Sequence, residues 1–176
     1  MLKIVKTENG SVRGLPGNYT RITAFKGIPY AAPPVGKNRW KAPMPASNWE
    51  GIKEAYSFGP ISFQDTPGLG TDIYCREWHV DPDIDISEDC LYLGIQTPAK
   101  STAERLPVFV NIHGGGFSTG SYSGTQDSFV KEGIVYVSIE YRLGALGFMA
   151  HPELSKESSN GISGNYGIYD QLAALQ

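Results

Sequence analysis

The sequence lacks several features that would narrow its class. Cysteine is nearly absent: Cys75 and Cys90 are the only two in 176 residues, too few for the disulfide framework of a small secreted domain. No apolar run approaches the roughly 18 residues that a membrane-spanning helix needs, so no membrane association is expected. The opening stretch, Met1-Leu2-Lys3-Ile4-Val5-Lys6-Thr7-Glu8, holds no unbroken apolar segment of the kind a secretory leader carries. With a starting Met, the expectation is a cytoplasmic protein. Basic runs are missing too. Fifteen Lys+Arg face 18 Asp+Glu, a net charge of −3, whereas a binder of the phosphate backbone needs clustered cations to release counterions. Nucleic acid is therefore not an expected partner. No internal repeat or low-complexity tract interrupts the chain, and a hydrophobic fraction of 40% argues against disorder.

What the sequence has in excess is backbone punctuation: 21 Gly and 12 Pro, against average usage of about 7% and 5%. Tight turns and special backbone positions follow. Twenty aromatics, 10 of them Tyr, suit a β-rich protein with pockets better than a helix bundle. Residues 2–7 alternate like a half-buried strand, and Asn9-Gly10 before Ser11–Leu15 predicts a hairpin. Residues 22–27 read as a third short strand. Prolines at 29, 33, 34, 43 and 45 exclude helix and central strand over residues 28–46; the spacing predicts an extended segment across a core, pinned by Tyr30 and Trp40. Cys90–Thr97 is a further strand. Leu106–His113 is another, and its near-continuous apolar run predicts burial on both faces. Asp127–Lys131 reads as a short helix stopped by Gly133, followed by a buried strand over Ile134–Tyr141. Strand, crossover and strand in that order predict a parallel pair within an α/β sheet. From Tyr166 to Gln176 the pattern is helical, with Ile168, Leu172 and Leu175 at i, i+4 and i+7.

The stretch richest in chemistry is Asn111-Ile112-His113-Gly114-Gly115-Gly116-Phe117. Three glycines directly after a buried strand let successive N–H groups converge on one anion. In acyl transfer that anion is the tetrahedral oxyanion, and losing one donor costs on the order of 10²–10³ in rate. A Walker phosphate loop would need Gly-Lys-Ser/Thr, where Phe117-Ser118-Thr119 follows; a dinucleotide fingerprint would need a third Gly where Thr119 stands. A plain glycine-rich turn remains an alternative on this stretch alone.

His-Gly-Gly-Gly-Phe after a buried strand resembles the oxyanion loop of α/β-hydrolase lipases and esterases. Four further blocks resemble one branch of that superfamily, the type-B carboxylesterases, which include the cholinesterases: Phe25–Ala31 through Pro33–Gly36 with Arg39-Trp40, then Ser87–Leu93, Tyr141–Phe148 and Gly164–Gln171. They stand in family order at family spacing and span nearly the whole chain. The resemblance implies an α/β fold in which antiparallel N-terminal strands lead into a mostly parallel central sheet, with residues 1–176 as the N-terminal part of a single type-B domain. It implies hydrolysis of a small-molecule carboxylic ester through a serine acyl-enzyme, with no metal or organic cofactor. It implies oxyanion donors at Gly115 and Gly116, and structural ion pairs Arg39–Glu88 and Arg142–Asp170.

The same resemblance exposes departures. The pattern G-x-S-x-G occurs once, at Gly116-Phe117-Ser118-Thr119-Gly120, inside the glycine loop itself; none stands downstream of the Asp-Gln helix start, where the family has its nucleophile elbow. Gly120–Gly124 has Tyr122 at the nucleophile position, and Gly161-Ile162-Ser163-Gly164-Asn165 lacks the last Gly. In the family the Ser, acid and His all lie downstream of the Asp-Gln helix start, so the isolated chain is expected to be inactive. A complementing C-terminal chain, or a non-catalytic interaction module, is the alternative. His113 belongs to the loop and is expected to position backbone; His79 and His151 are expected to be solvated. Asp81, Asp83 and Asp85 alternate like a calcium loop, but Pro82 and Ile86 break that pattern. Secreted relatives usually carry a Cys where Ser62 stands, which leaves Cys90 without its usual partner, and no Cys75–Cys90 bridge is expected. Gly94 and Glu140 replace residues common in the family, and both put local hydrogen bonding in doubt.

Overall fold

The computed structural model describes residues 1–19, 21–64, 85–122, 124 and 126–176. β1 (Ile4–Lys6) and β2 (Ser11–Arg13) form the N-terminal hairpin, antiparallel with Lys6 opposite Ser11. Its turn is longer than the two-residue type that Asn-Gly signals. Thr7 closes it by donating both its N–H and its hydroxyl to the Gly10 carbonyl, each at 2.7 Å. β5 (Ile52–Glu54) joins β2 in parallel to complete a three-stranded sheet.

The second sheet has five strands: β3 (Leu15–Pro16), β4 (Thr23–Pro29), β6 (Tyr92–Thr97), β8 (Val135–Ile139) and β7 (Val108–Ile112), in that spatial order. The first three ladders are antiparallel and the last, β8 with β7, is parallel. The crossover between β7 and β8 carries α1 (Asp127–Lys131). Gly133, at φ 85°, ends it as the sequence predicts. Val130 of α1 is fully buried against Ile22 and Tyr136, which seats the helix on the sheet.

β4 joins the two sheets. Phe25 and Ile28 pack with Val12 and Ala55, and Val5, Trp49, Leu93 and Ile95 close around them. Its pairing with β6 slips between Phe25–Ile95 and Ile28–Leu93, three steps on one strand against two on the other. This is a β-bulge. Gly27 makes it possible at φ 69°, where a Cβ would stand 2.5 Å from the Ser57 carbonyl.

Three expectations need correction. The prolines do not end β4 at residue 27: the strand continues through Pro29, opposite Tyr92. β3 pairs only with Thr23 and Ala24, so at Pro29 no ladder on that edge needs the missing N–H. A short 3₁₀ turn, Gly36–Asn38, also interrupts the proline-rich stretch. The pins stand as predicted: the Tyr30 hydroxyl donates to the Glu140 carbonyl at 2.6 Å, and Trp40 Nε1–H donates to the Ala145 carbonyl at 3.0 Å.

Second, β7 is not buried on both faces. Val108 is 59% exposed, Phe109 42% and Ile112 44%. β7 closes the sheet order, and among the described residues no strand pairs with its outer edge. Phe109 is covered on one side, stacking on Phe129 of α1 at 4.7 Å. Third, the C-terminal helix buries the opposite face from its apolar stripe. α2 (Gly144–Phe148) and α3 (Pro152–Glu157) precede it, and α4 spans Tyr166–Ala174. α4 buries Tyr166, Gly167 and Asp170, while Leu172 is 52% exposed and Leu175 55%. The helix is held by a buried charge instead of by its leucines. Among the described residues no helix is long and apolar enough to cross a membrane.

Candidate functional site

The glycine loop leaves the C-terminal end of β7 and turns at once. Gly115 (φ 117°), Gly116 (φ 61°) and Phe117 (φ 61°) are all left-handed. Phe117 is one of two non-glycine residues in that region among those described, and such strain is held only where the surroundings enforce it. Here the Gly144 N–H, opening α2, donates to the Phe117 carbonyl at 2.7 Å, and the Ser118 and Thr119 N–H groups both donate to the Gly115 carbonyl at 3.1 Å. Gly115 cannot be anything else: a Cβ there would lie 1.9 Å from the Thr119 carbonyl oxygen. At Gly116 a Cβ would meet nothing within 4 Å. Among the described residues, the Gly115 and Gly116 N–H groups donate to no backbone acceptor. Gly116, with Phe117, Ser118, Gly144, Phe148 and Met149, lines an open cleft of about 430 Å³, in which the Phe117 and Phe148 rings meet at 4.6 Å.

A buried polar layer lies under this loop. Tyr141 donates its hydroxyl to the His113 carbonyl at 2.7 Å and stacks on the imidazole at 4.4 Å. Gln64 clamps the far end, donating to the Gly120 carbonyl at 2.8 Å and accepting the Gly120 N–H at 2.9 Å. Between them sits Glu140, with no exposed surface. Its carboxylate accepts the Tyr122 N–H at 3.2 Å and the Ser62 N–H at 3.4 Å, and Oε1 stands 3.4 Å from His113 Nε2. Burial pushes the Glu140 carboxyl up from its ordinary value, against the pull of His113 and the two N–H donors. Burial alone would lower the His113 imidazole, but Glu140 and the Gly114 carbonyl outweigh it and the net shift is upward. Sequence reading treats Glu140 only as an odd replacement. The signal was available: an acidic residue ending the apolar run Val135–Ile139 must be buried, and a buried charge needs a partner.

The sequence-predicted ion pairs are both formed. Arg39 donates to Glu88 through Nε at 2.7 Å and Nη2 at 2.6 Å, a two-pronged contact that stays partly exposed. Arg142 donates to Asp170 through Nε and Nη2, each at 2.7 Å, and through its backbone N–H at 3.1 Å. Nη2 also reaches the Lys41 carbonyl at 2.8 Å, while Nη1 has no hydrogen-bond partner among the described residues and the guanidinium faces the Tyr166 ring. This pair is buried on both sides. Burial raises the Asp170 carboxyl and Arg142 opposes the rise.

The near misses resolve as structure. Tyr122 is fully buried, edge-on to Phe58 at 5.0 Å and bonded to Gly59, and burial drives its hydroxyl pKa far up. Ser163 bonds the backbone of His151, not its ring, and the His151 ring accepts the Glu153 N–H at 3.2 Å to cap α3. His151 is exposed, in line with its solvated reading, and it also caps α3, a role that Pro152 directly after it fits. Cys90 is a free, buried thiol raised by burial, and the Ser62 side chain hydrogen-bonds it. Cys75, His79, Asp81 and Asp83 lie outside the described residues. Among the described residues no group of His, Cys, Asp and Glu could hold a metal ion. A larger cleft of about 610 Å³, between Tyr19, Arg21, Lys100 and Lys131, includes neither the loop nor a nucleophile–base pair among its lining residues.

Comparison with known proteins gives the loop its context. A family description of the carboxylesterases matches residues 2–176. The chain is 42% identical to the fumonisin B1 esterase of Sphingopyxis macrogoltabida over 99% of its own length, and 42% identical to carboxylesterase 1E of Mus musculus over 98%. It spans 31% of each of those relatives. Among solved structures, a PNB esterase superposes with a TM-score of 0.81 at 36% identity, covering 99% of this chain and 34% of that one. The carboxylesterase EST55 of Geobacillus stearothermophilus superposes at 0.80 with 37% identity, covering 98% and 33%.

Proposed function

The chain belongs to the carboxylesterase family, and from that premise we propose that these 176 residues form the N-terminal part of a serine carboxylic-ester hydrolase. In this reading they supply two oxyanion donors, the N–H groups of Gly115 and Gly116, and one wall of the acyl site at Phe117 and Phe148. The serine, acid and histidine come from sequence beyond Gln176. The observation that carries the reading is the pair of loop amides that, among the described residues, have no backbone acceptor, one of them at Gly116 on the wall of an open, mostly apolar cleft. Two such donors aimed at one point stabilise the charge that develops when a hydroxyl attacks an ester carbonyl. The exposed apolar face of β7 and the outward leucines of α4 fit the same reading, because they are surfaces a larger domain covers. Arg39–Glu88 and Arg142–Asp170 act as scaffold: each ties a segment to the sheet, and neither reaches the loop amides.

The test compares two proteins. The full-length product of the reading frame should turn over p-nitrophenyl acetate and be labelled by a serine-directed phosphonate outside residues 1–176. The purified 176-residue chain should show no saturable turnover, since removing a hydrolase nucleophile costs about 10⁶ in rate. Saturable turnover by the short chain that scales with protein and survives repurification would overturn this assignment. So would a phosphonate adduct within residues 1–176.

A further inference from the structure

The buried layer beneath the loop contains an acid–base pair that the reaction itself does not use. His113 is 7% exposed at its side chain and Glu140 is fully buried. Both ring nitrogens of His113 face oxygen. Nδ1 lies 3.0 Å from the Gly114 carbonyl, and Nε2 lies 3.4 Å from Glu140 Oε1. No other acceptor among the described residues satisfies Nε2. The ring cannot turn away, because Tyr141 stacks on one face and the Gly120 backbone crowds Nδ1, where a Cβ would come within 2.3 Å. A neutral imidazole carries one N–H, and a carbonyl oxygen accepts but never donates. Nδ1 must therefore hold a proton. A second proton then has to lie between Nε2 and Oε1, on one or the other, or two lone pairs would face each other in a site without water's dielectric.

The geometry points to a consequence for the oxyanion donor: we propose that Glu140 and His113 share one buried proton, and that the resulting Nδ1–H···O=C bond to Gly114 fixes the plane of the Gly114–Gly115 peptide. That plane also carries the Gly115 N–H. The carbonyl and the N–H of one peptide are rigidly coupled, so holding one aims the other. Glu140 and His113 are thus positioning residues, and neither touches the reacting atoms. This part rests on the function proposed above; the shared proton does not. The raised carboxyl and raised imidazole have the sign that a retained proton requires. Among the described residues, the other ionisable groups facing the pair are Tyr30, Cys90, Tyr122 and Tyr141, with the Arg142–Asp170 pair behind them. None offers Nε2 or Oε1 a second cation, since Arg142 is committed to Asp170 and Lys41.

The experiment uses the full-length product of the reading frame with nitrogen-15 histidine, as wild type, E140Q and E140A. The carboxamide in E140Q is nearly isosteric and can donate to a neutral Nε2, so it keeps the geometry without the shared proton. The His113 ring signals should titrate above 6.5 in wild type and below 6.5 in E140Q. With p-nitrophenyl acetate, wild-type kcat should fall on the alkaline side with the same midpoint. E140Q should stay within about threefold of wild type at pH 7 and lack that fall. E140A should lose tenfold or more in kcat with KM within threefold; if it does not fold, E140Q decides. Identical His113 titration in wild type and E140Q overturns the shared proton. An unchanged alkaline fall in E140Q overturns the positioning role. If the full-length product hydrolyses no ester, the proposed function fails while the ring titration still judges the proton.

Discussion

Breaking the Arg142–Asp170 pair should unseat the support of the loop more than any surface change. In D170N the carboxylate becomes a neutral amide. Asp170 now receives three bonds from Arg142, two of them from the guanidinium at 2.7 Å. Hydrogen bonds to charged groups contribute about 1.5–3 kcal/mol each. The amide can accept only one of the two guanidinium bonds well and points its own N–H groups at the other. Arg142 would stay buried with the Lys41 carbonyl and the Tyr166 ring as its remaining partners. Removing one member of a buried pair typically costs 3–5 kcal/mol, whereas replacing both with apolar groups is often neutral. The expected loss for D170N is thus about 3–4 kcal/mol, and R142M/D170L should recover all but about 1–2 kcal/mol of it. Urea unfolding of the full-length product gives both values. Function should follow stability: Arg142 directly succeeds Glu140 and Tyr141, and the Asp170 carboxylate holds its N–H. A loss under about 1 kcal/mol for D170N, or a double variant as unstable as the single, would refute this account of the helix α4 contact.

Two further outcomes test the loop. G115A should lower kcat toward p-nitrophenyl acetate by roughly 10²–10³, because its Cβ would collide with the Thr119 carbonyl at 1.9 Å. G116A, with open space around its Cβ, should bear only the left-handed strain of about 1 kcal/mol, or about fivefold, with KM steady in both; equal losses would show that the steric argument fails. Stability should fall as pH rises, since the fold holds the one proton shared by Glu140 and His113 that the unfolded chain releases. The imidazole contribution is complete below its ordinary 6.5 and is lost as pH climbs to the raised folded value, at up to about 1.4 kcal/mol per pH unit for one retained proton. Urea midpoints between pH 6 and 9 measure the slope, and a flat or rising curve would contradict it.

Much of the fold is legible in the chain because local signals and tertiary demands agree there. The parallel pair of β7 and β8, the helix between them and its Gly133 stop all follow from two apolar runs, the order strand, crossover and strand, and one glycine stop. Legibility fails where burial depends on distant partners. The run Leu106–His113 reads as a core strand by composition, yet composition cannot say whether anything pairs with its outer edge. The apolar stripe of α4 reads as its inner face, yet the helix turns it outward because Asp170 is drawn in by a guanidinium that lies 28 residues earlier in the chain. A buried pair bonded by several charge-assisted contacts sets which face turns inward, and Leu172 and Leu175 are left exposed.

The site divides along the same line. Glycines at 115 and 116 are readable because a strained backbone leaves few residue choices, and the structure shows Gly115 to be sterically obligatory. Glu140 is not readable as a partner of His113, since 27 residues and one crossover separate them and either residue alone has a bland interpretation. What identifies the pair is an accounting of protons: two ring nitrogens, two oxygen acceptors, and no other cation in reach among the described residues. Backbone geometry shapes the glycine loop. Under the proposed shared proton, whether its amides stay aimed depends on a side-chain layer below, in which Glu140 looks like an exception to the family pattern. For this chain the replacement at 140 is therefore where its loop should differ most from those of its relatives, and pH is the variable that should reveal the difference.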